Sequence, residues 1–263
     1  MIFWFFLIKQ KEQLSAQVNT SRIAVCKETK PHACYLLFLL AFMNSKTALI
    51  IGATGLTGAE CLRLLLQSDN YNKVIALVRK PLEISHPKLL PLVVDFENLE
   101  QYAPQIKADD IYCAIGTTIA KAGSQQAFKK VDYEIPLKVA QLALQNGAKK
   151  FILVSSMGAN AKSGIFYSRV KGELEEAIKK LNYLSFIIFR PSLLLGNRKE
   201  KRTGEAIGRW MSEKLSFLFS GPLKKYKGTP VDVLAKAMLK AAMQNINGVR
   251  IIENEEIFIL AEQ

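Results

Sequence analysis

From residue 46 onward the apolar positions follow two alternating rhythms. Short, nearly continuous apolar runs cover 47–51, 73–78, 90–94, 110–115, 151–154 and 184–189. Runs of this length, ended by glycine, charge or proline, read as strands buried on both faces of a parallel sheet. Between them, apolar residues recur at three- and four-residue spacing. Leu62, Leu65 and Leu66 do so within 59–67, and Val131, Leu137, Val139, Leu142 and Leu144 within 126–146. Phe166, Val170, Leu174, Ile178 and Leu181 form a third stripe. These are helices with one buried face. Pro136 is expected to break or kink the second, and Gly147 to cap it. Strand–helix alternation at this spacing predicts right-handed crossovers, and hence an α/β, Rossmann-like, doubly wound parallel sheet. After Pro191 the rhythm weakens. The spacing predicts a helix over 231–243 and a strand over 257–260, in a small C-terminal lobe starting at about 192, where substrate would be read.

The start of the chain is patterned differently. Residues 1–8 and 33–43 are apolar, and the residues between them are polar and mixed. Neither run reaches the ~20 residues that span a bilayer, so no stable membrane span is expected. The second run begins too late for a signal peptide, and no small-x-small cleavage site follows it. Met43-Asn-Ser-Lys, directly before the first strand, reads as a natural opening. The expected division is therefore 1–43 as an extension outside the native fold and 44–263 as the working domain. A membrane or partner anchor is the alternative reading of 1–43.

Composition narrows the function classes. With 49% hydrophobic and 22% charged residues in 263, the chain can bury a sizeable core and is not a disordered or fibrous sequence. The net charge of +13 gives a basic surface. No Lys/Arg run is interleaved with stacking aromatics, so nucleic acid is not an expected partner. Four cysteines share no CxxC spacing and there are only two histidines, so no metal site, disulfide framework or His-based triad is indicated. A cytoplasmic location is expected.

The strongest local signal is Gly52-Ala-Thr-Gly55-Leu-Thr-Gly58, which follows a predicted strand and opens a helix. Gly52 permits the tight turn, Gly55 lets backbone approach a pyrophosphate, and Gly58 lets helix lie close to strand. The amides of the helix start then face the phosphates. At the end of the second strand, where an NAD site would carry a carboxylate for the ribose 2′-hydroxyl, the chain has Val78-Arg79-Lys80. Two cations there suit the 2′-phosphate of NADP(H), or they are a surface pair on a turn. Asp95, after the third strand, is a candidate for the adenine amino group. The small residues of 114–118 would let backbone run along the adenosine ribose and phosphates.

The candidate chemistry follows the fifth strand. Ser156 ends it, and Tyr167 and Lys171 come next on one face of a helix at i, i+4 spacing. A Tyr-x-x-x-Lys match is expected about once by chance in this composition. This one is the single instance, and it lies on the helix after the serine-bearing strand. A neighbouring ammonium favours the phenolate, which would let Tyr167 exchange a proton with a substrate oxygen while hydride moves at a nicotinamide. Lys171 can also bond the nicotinamide ribose, and Ser156 the substrate oxygen.

The order Gly52-x-x-Gly55-x-x-Gly58, Ser156, Tyr167-x-x-x-Lys171, Arg190-Pro191 resembles the short-chain dehydrogenase/reductase superfamily in its extended or atypical branch. Cys113-Ala-Ile-Gly-Thr-Thr118, Lys121-Ala-Gly123, Phe189-Arg-Pro191 and Arg202-x-Gly-Glu205 are similar, more closely, to the Tat-interacting-protein oxidoreductases and their bacterial relatives. That resemblance covers roughly 46–245 and implies an NADPH-binding monomer or weak dimer. It also implies cofactor contacts from Thr54, Gly55, Leu56, Thr57, Arg79, Lys80, Ile115, Gly116, Tyr167, Lys171, Leu194 and Arg202. Asp132 departs from the pattern, standing where many extended members carry Asn, which would alter any proton relay through that residue.

The basic stretch 197–204 could close over phosphates or an acidic substrate, or be a solvated loop. Trp210, Phe217, Leu218 and Phe219 suit packing of the small lobe better than a pocket. The leading expectation is an NADP(H)-dependent oxidoreductase acting on a small carbonyl or alcohol. The alternative is a non-catalytic NADPH-binding regulator acting through a protein partner.

Overall fold

The computed structural model describes residues 46–196 and 227–263. The basic stretch at 197–204, Arg202, Trp210 and Phe217–Phe219 lie outside them. Strands β1 (Lys46–Ile51), β2 (Tyr71–Val78), β3 (Leu89–Val93), β4 (Asp110–Cys113), β5 (Lys150–Val154), β6 (Ser185–Arg190) and β9 (Gly248–Glu253) form one sheet in the order β3-β2-β1-β4-β5-β6-β9. Every pairing in it is parallel. The strand order reverses between β1 and β4, and a crevice for ligand opens at such a switch point, beyond the carboxyl ends of the strands.

Alternation along β1 divides the core. Ala48 and Ile50 face a layer that contains Cys61, Leu62 and Leu65 of α1 (Leu56–Gln67) and Leu234 and Met238 of α6 (Val231–Met243). Leu49 and Ile51 face the other layer, with Val139 and Ala143 of α4 (Ile135–Gln145) and Leu174 and Ile178 of α5 (Phe166–Lys179). These side chains are almost fully buried, each worth about 1.5–3 kcal/mol for a large aliphatic residue.

Two helical regions differ from the pattern-based expectation in instructive ways. The stretch 126–146 runs as α3 (Gln125–Lys129), a π turn over Lys130–Glu134, and then α4. Pro136 has no N–H to give the carbonyl four residues earlier, which is that of Asp132, and its ring crowds that carbonyl. The helix widens there instead of breaking, and the Ile135 N–H reaches back to the Lys130 carbonyl. Gly147 follows α4 with φ of +90°, a conformation glycine tolerates best.

The run 257–260, expected as a strand, lies in α7 (Asn254–Glu262). Ile257 and Leu260 are buried while Ile259 is exposed, a three-residue rhythm that a strand cannot satisfy. The strand of this region is β9, just before it. Together α6, β9 and α7 make residues 231–262 part of the main sheet and its helical layer. The short β7 (Leu194–Leu195) and β8 (Thr229–Pro230) pair with each other apart from that sheet.

Candidate functional site

Because all seven strands run the same way, their carboxyl ends share one edge, and sheet order sets what stands along it. Asp95 follows β3, Arg79 and Lys80 follow β2, the glycine loop follows β1, Ile115 and Gly116 follow β4, and Ser156 follows β5. Leu194 sits beyond β6, on β7.

The glycines divide by cause. Gly52 adopts φ of +86°, and a Cβ there would lie 2.6 Å from the backbone of Ala114 and Ile115. A Cβ on Gly58 would lie 2.0 Å from the Gly52 carbonyl oxygen. Both are therefore demanded by packing inside the protein. Gly55 is under less pressure. Its φ of −78° and ψ of 169° suit any residue and it is exposed, but a Cβ would meet the Gly52 oxygen at 3.2 Å, close enough that the turn would have to yield by a few tenths of an ångström. What a side chain at 55 would fill is the space in front of the N terminus of α1. Thr57, on the first turn of that helix, has a buried hydroxyl with no partner among the described residues. An open backbone cradle at a helix N terminus fits a pyrophosphate.

The same edge carries a second group. Lys171 is 5% exposed, with Nζ 2.7 Å from Oδ1 of Asp132, itself 1% exposed. The other Asp132 oxygen accepts the Thr117 N–H at 2.8 Å. A Cβ on Gly116 would lie 3.3 Å from the Asp132 carboxylate and 3.6 Å from Lys171 Nζ. The loop after β4 thus touches the glycine turn at Ala114 and Ile115 and the Lys171 ion pair at Gly116. Burial pulls the Lys171 ammonium down, but the Asp132 carboxylate, with Tyr167 adding to it, outweighs burial and holds it above the usual lysine range.

Tyr167 is half-buried one turn before Lys171, its ring 5.7 Å from that of Phe128. The Ser156 hydroxyl is buried and has no partner among the described residues. Its neighbour Ser155 donates to Glu175 at 2.5 Å, and Glu175 accepts two bonds from Arg190, at 3.1 and 2.6 Å. Arg190 also reaches Glu253 at 3.0 Å. This network ties the ends of β5, β6 and β9 to α5 and fixes the frame from which Ser156 projects.

Several supports were not identified from the sequence. Glu175 is one; it recurs four residues after Lys171 on the same face, a spacing that could have flagged it. Gly172 is another. A Cβ there would lie 2.2 Å from the Ala161 nitrogen, so only glycine lets the loop after β5 lie on α5. Asp95 is exposed, and its carboxylate is already engaged by the Glu97 N–H and Asn98 Nδ2, which hold it below the usual carboxylate range. Arg79 and Lys80 are exposed at the end of β2. Among the described residues there is no cluster of three metal-ligating side chains and no helix long and apolar enough to cross a membrane.

Comparison with known proteins agrees with the dinucleotide-binding fold. A family model described as NAD(P)H-binding matches residues 52–210. The chain is 35% identical over 225 residues to Protein HTATIP2 of Rattus norvegicus, spanning 84% of this chain and 91% of that protein. It is 36% identical over 211 residues to "Protein FMP52, mitochondrial" of Candida albicans, spanning 76% of this chain and 89% of that one. In fold it is similar to a UDP-glucose 4-epimerase of Thermotoga maritima solved with UDP-glucose, at TM-score 0.60 and 16% identity, over 82% of this chain and 81% of that one. MoeE5 in complex with UDP-glucose and NAD gives TM-score 0.59 at 15% identity, with the same coverage. The fungal names correct the expectation of a cytoplasmic protein. Location is written in address segments read by receptors, and neither domain composition nor surface charge carries that information.

Proposed function

The chain belongs to the NAD(P)H-binding family, and from that premise we propose that it is an NADP(H)-dependent oxidoreductase interconverting a small carbonyl compound and its alcohol. The observation that carries this reading is the buried Ser156 hydroxyl, unpartnered among the described residues, on the same sheet edge as Tyr167, Lys171 and the exposed glycine turn. A desolvated hydroxyl donor beyond the cofactor cradle, on the edge that carries Tyr167 and Lys171, suits a substrate oxygen. Leaving one unsatisfied costs about 1–3 kcal/mol.

In this reading Gly52, Thr54, Gly55, Leu56, Thr57 and Gly58 hold the pyrophosphate. Arg79 and Lys80 would hold the 2′-phosphate, Asp95 would accept from the adenine amino group, and Ile115, Gly116 and Leu194 would border the rest of the dinucleotide. Arg202 belongs to the same set by resemblance. When bound there, NADPH would supply the hydride for reduction of the carbonyl carbon. Ser156 donates to the carbonyl oxygen and orients it. Tyr167 gives its hydroxyl proton to that oxygen as negative charge develops there, and takes it back in the reverse direction. Lys171 places positive charge beside Tyr167 and bonds the ribose.

The test is a turnover screen of the purified protein with NADPH against aldehydes, ketones and quinones, run beside Tyr167→Phe. NADPH oxidation is expected on at least one class. Tyr167→Phe should lose at least ~10²-fold in kcat while NADPH affinity is kept. Full activity of Tyr167→Phe on a substrate so found would overturn the assigned chemistry. Absence of turnover across the panel would favour a cofactor-binding regulator.

A further inference from the structure

Asp132 is the residue that the fold takes most trouble to place. Pro136 frees its carbonyl and widens the helix into the π turn, and the turn carries the side chain into a position 1% exposed. A buried carboxylate is costly unless paired, and here one oxygen accepts the Thr117 N–H while the other lies 2.7 Å from Lys171 Nζ as an ion pair that lacks hydrogen-bond geometry. Gly116, directly before Thr117, has no side chain to separate the loop from the pair.

We propose that Asp132 is a positioning residue for Lys171: its carboxylate keeps the ammonium charged and holds it against the loop after β4, so that lysine and loop move as one unit at the cofactor's nicotinamide end. The mechanistic consequence rests on the oxidoreductase reading; the ion pair itself does not.

The groups facing Lys171 make Asp132 the source of this effect. Cys113, at the end of β4, is buried, and burial pushes its thiol up to about 12, so it brings no charge near neutrality. Tyr167 is on the lysine's own helix. The surrounding charges are matched elsewhere: Lys129 with Glu173, Lys130 with Glu97, Arg190 with Glu175. Asp132 is therefore the one carboxylate in direct contact with the ammonium among the described residues. Without it, burial is left to favour the neutral amine. Substitution by Asn keeps the shape and the acceptor for Thr117 but removes the charge.

The experiment is a pH titration of lysine side-chain 15Nζ resonances in the full chain, with Lys171 assigned by its loss in Lys171→Met. In the parent, Lys171 should stay an ammonium beyond the ordinary lysine midpoint of 10.5. In Asp132→Asn the midpoint should fall below that value, with at least a tenfold rise in the neutral-to-charged ratio at a given pH. Asp132→Glu should restore the high midpoint, which a merely space-filling role would not require. If turnover is found, its alkaline limb should move to lower pH in Asp132→Asn and return in Asp132→Glu. A parent Lys171 that deprotonates below 10.5, or an Asp132→Asn curve superimposable on the parent's, overturns the proposal. The parent curve decides alone if the variants do not fold. Absence of turnover with the expected titration defeats the oxidoreductase reading and leaves the ion-pair proposal standing. Turnover with an unmoved titration does the reverse.

Discussion

Two buried aspartates stand at opposite ends of the same sheet, and they are used differently. Asp110 opens β4 at the amino edge. It accepts from the Tyr71 hydroxyl at 2.7 Å and from Lys46 Nζ at 3.2 Å, and the Tyr71 and Tyr112 hydroxyls lie 2.9 Å apart. Among the described residues, every hydrogen-bond partner in the cluster comes from β1, β2 or β4. Burial drives both phenols far above the usual tyrosine range, so they stay neutral donors. Asp132, at the carboxyl edge, is paired as well, but its surroundings are left open. The Ser156 and Thr57 hydroxyls are buried without partners among the described residues, and Gly55 stands exposed at the N terminus of α1. One end joins strands; the other is built around groups that a ligand would complete. Ser185, at the start of β6, is the exception at the amino edge, with a buried hydroxyl that also lacks a partner among the described residues.

Substitutions at the two ends should separate them sharply. Gly58→Ala forces a Cβ into the Gly52 carbonyl, backbone against backbone. It should destabilise the protein by about 4 kcal/mol or more in a denaturant melt and abolish NADPH binding. Asp110→Asn weakens charge-assisted bonds at the far edge. It should cost about 1–3 kcal/mol in the same melt while NADPH affinity stays at the parent value. A large affinity loss in Asp110→Asn would dissolve the contrast between the ends.

A smaller effect sharpens the cofactor assignment. Arg79→Ala should weaken NADPH about tenfold, in keeping with one charge-assisted contact, and leave NADH nearly unchanged. Equal losses for both dinucleotides would place the arginine away from the 2′-phosphate.

What the sequence made legible follows from how local each cause is. The glycine turn, the strand runs and the Tyr167–Lys171 spacing are short-range patterns, and they indicated the fold class and which strand end each candidate group follows; the order of those ends along the edge came only with the sheet order. Pro136 signalled a disturbance in its helix but not its form. Whether a helix kinks or widens depends on what the freed segment can bury, and here that is an ion pair with α5. The strand expected at 257–260 failed because four consecutive apolar residues suit either periodicity. Tertiary packing chose the helical one once β9 had taken the edge position beside β6. The Ser155–Glu175–Arg190–Glu253 network joins residues far apart in the chain; the spacing of Glu175 from Lys171 was its one local sign, and the partners across strands left none.

The most direct measurement is a fluorescence titration of NADPH into Gly55→Asp. The backbone at 55 suits any residue and the site is exposed, but a Cβ there would press on the Gly52 carbonyl oxygen at 3.2 Å, so the variant should lose some stability and still be folded at the titration temperature, which its own melt checks. A carboxylate in the cradle would face the pyrophosphate, and like charges in contact cost several kcal/mol. The expected result is at least about a hundredfold loss of NADPH affinity with the fold retained. Binding at parental affinity by folded Gly55→Asp would contradict the assignment of this edge as the dinucleotide site.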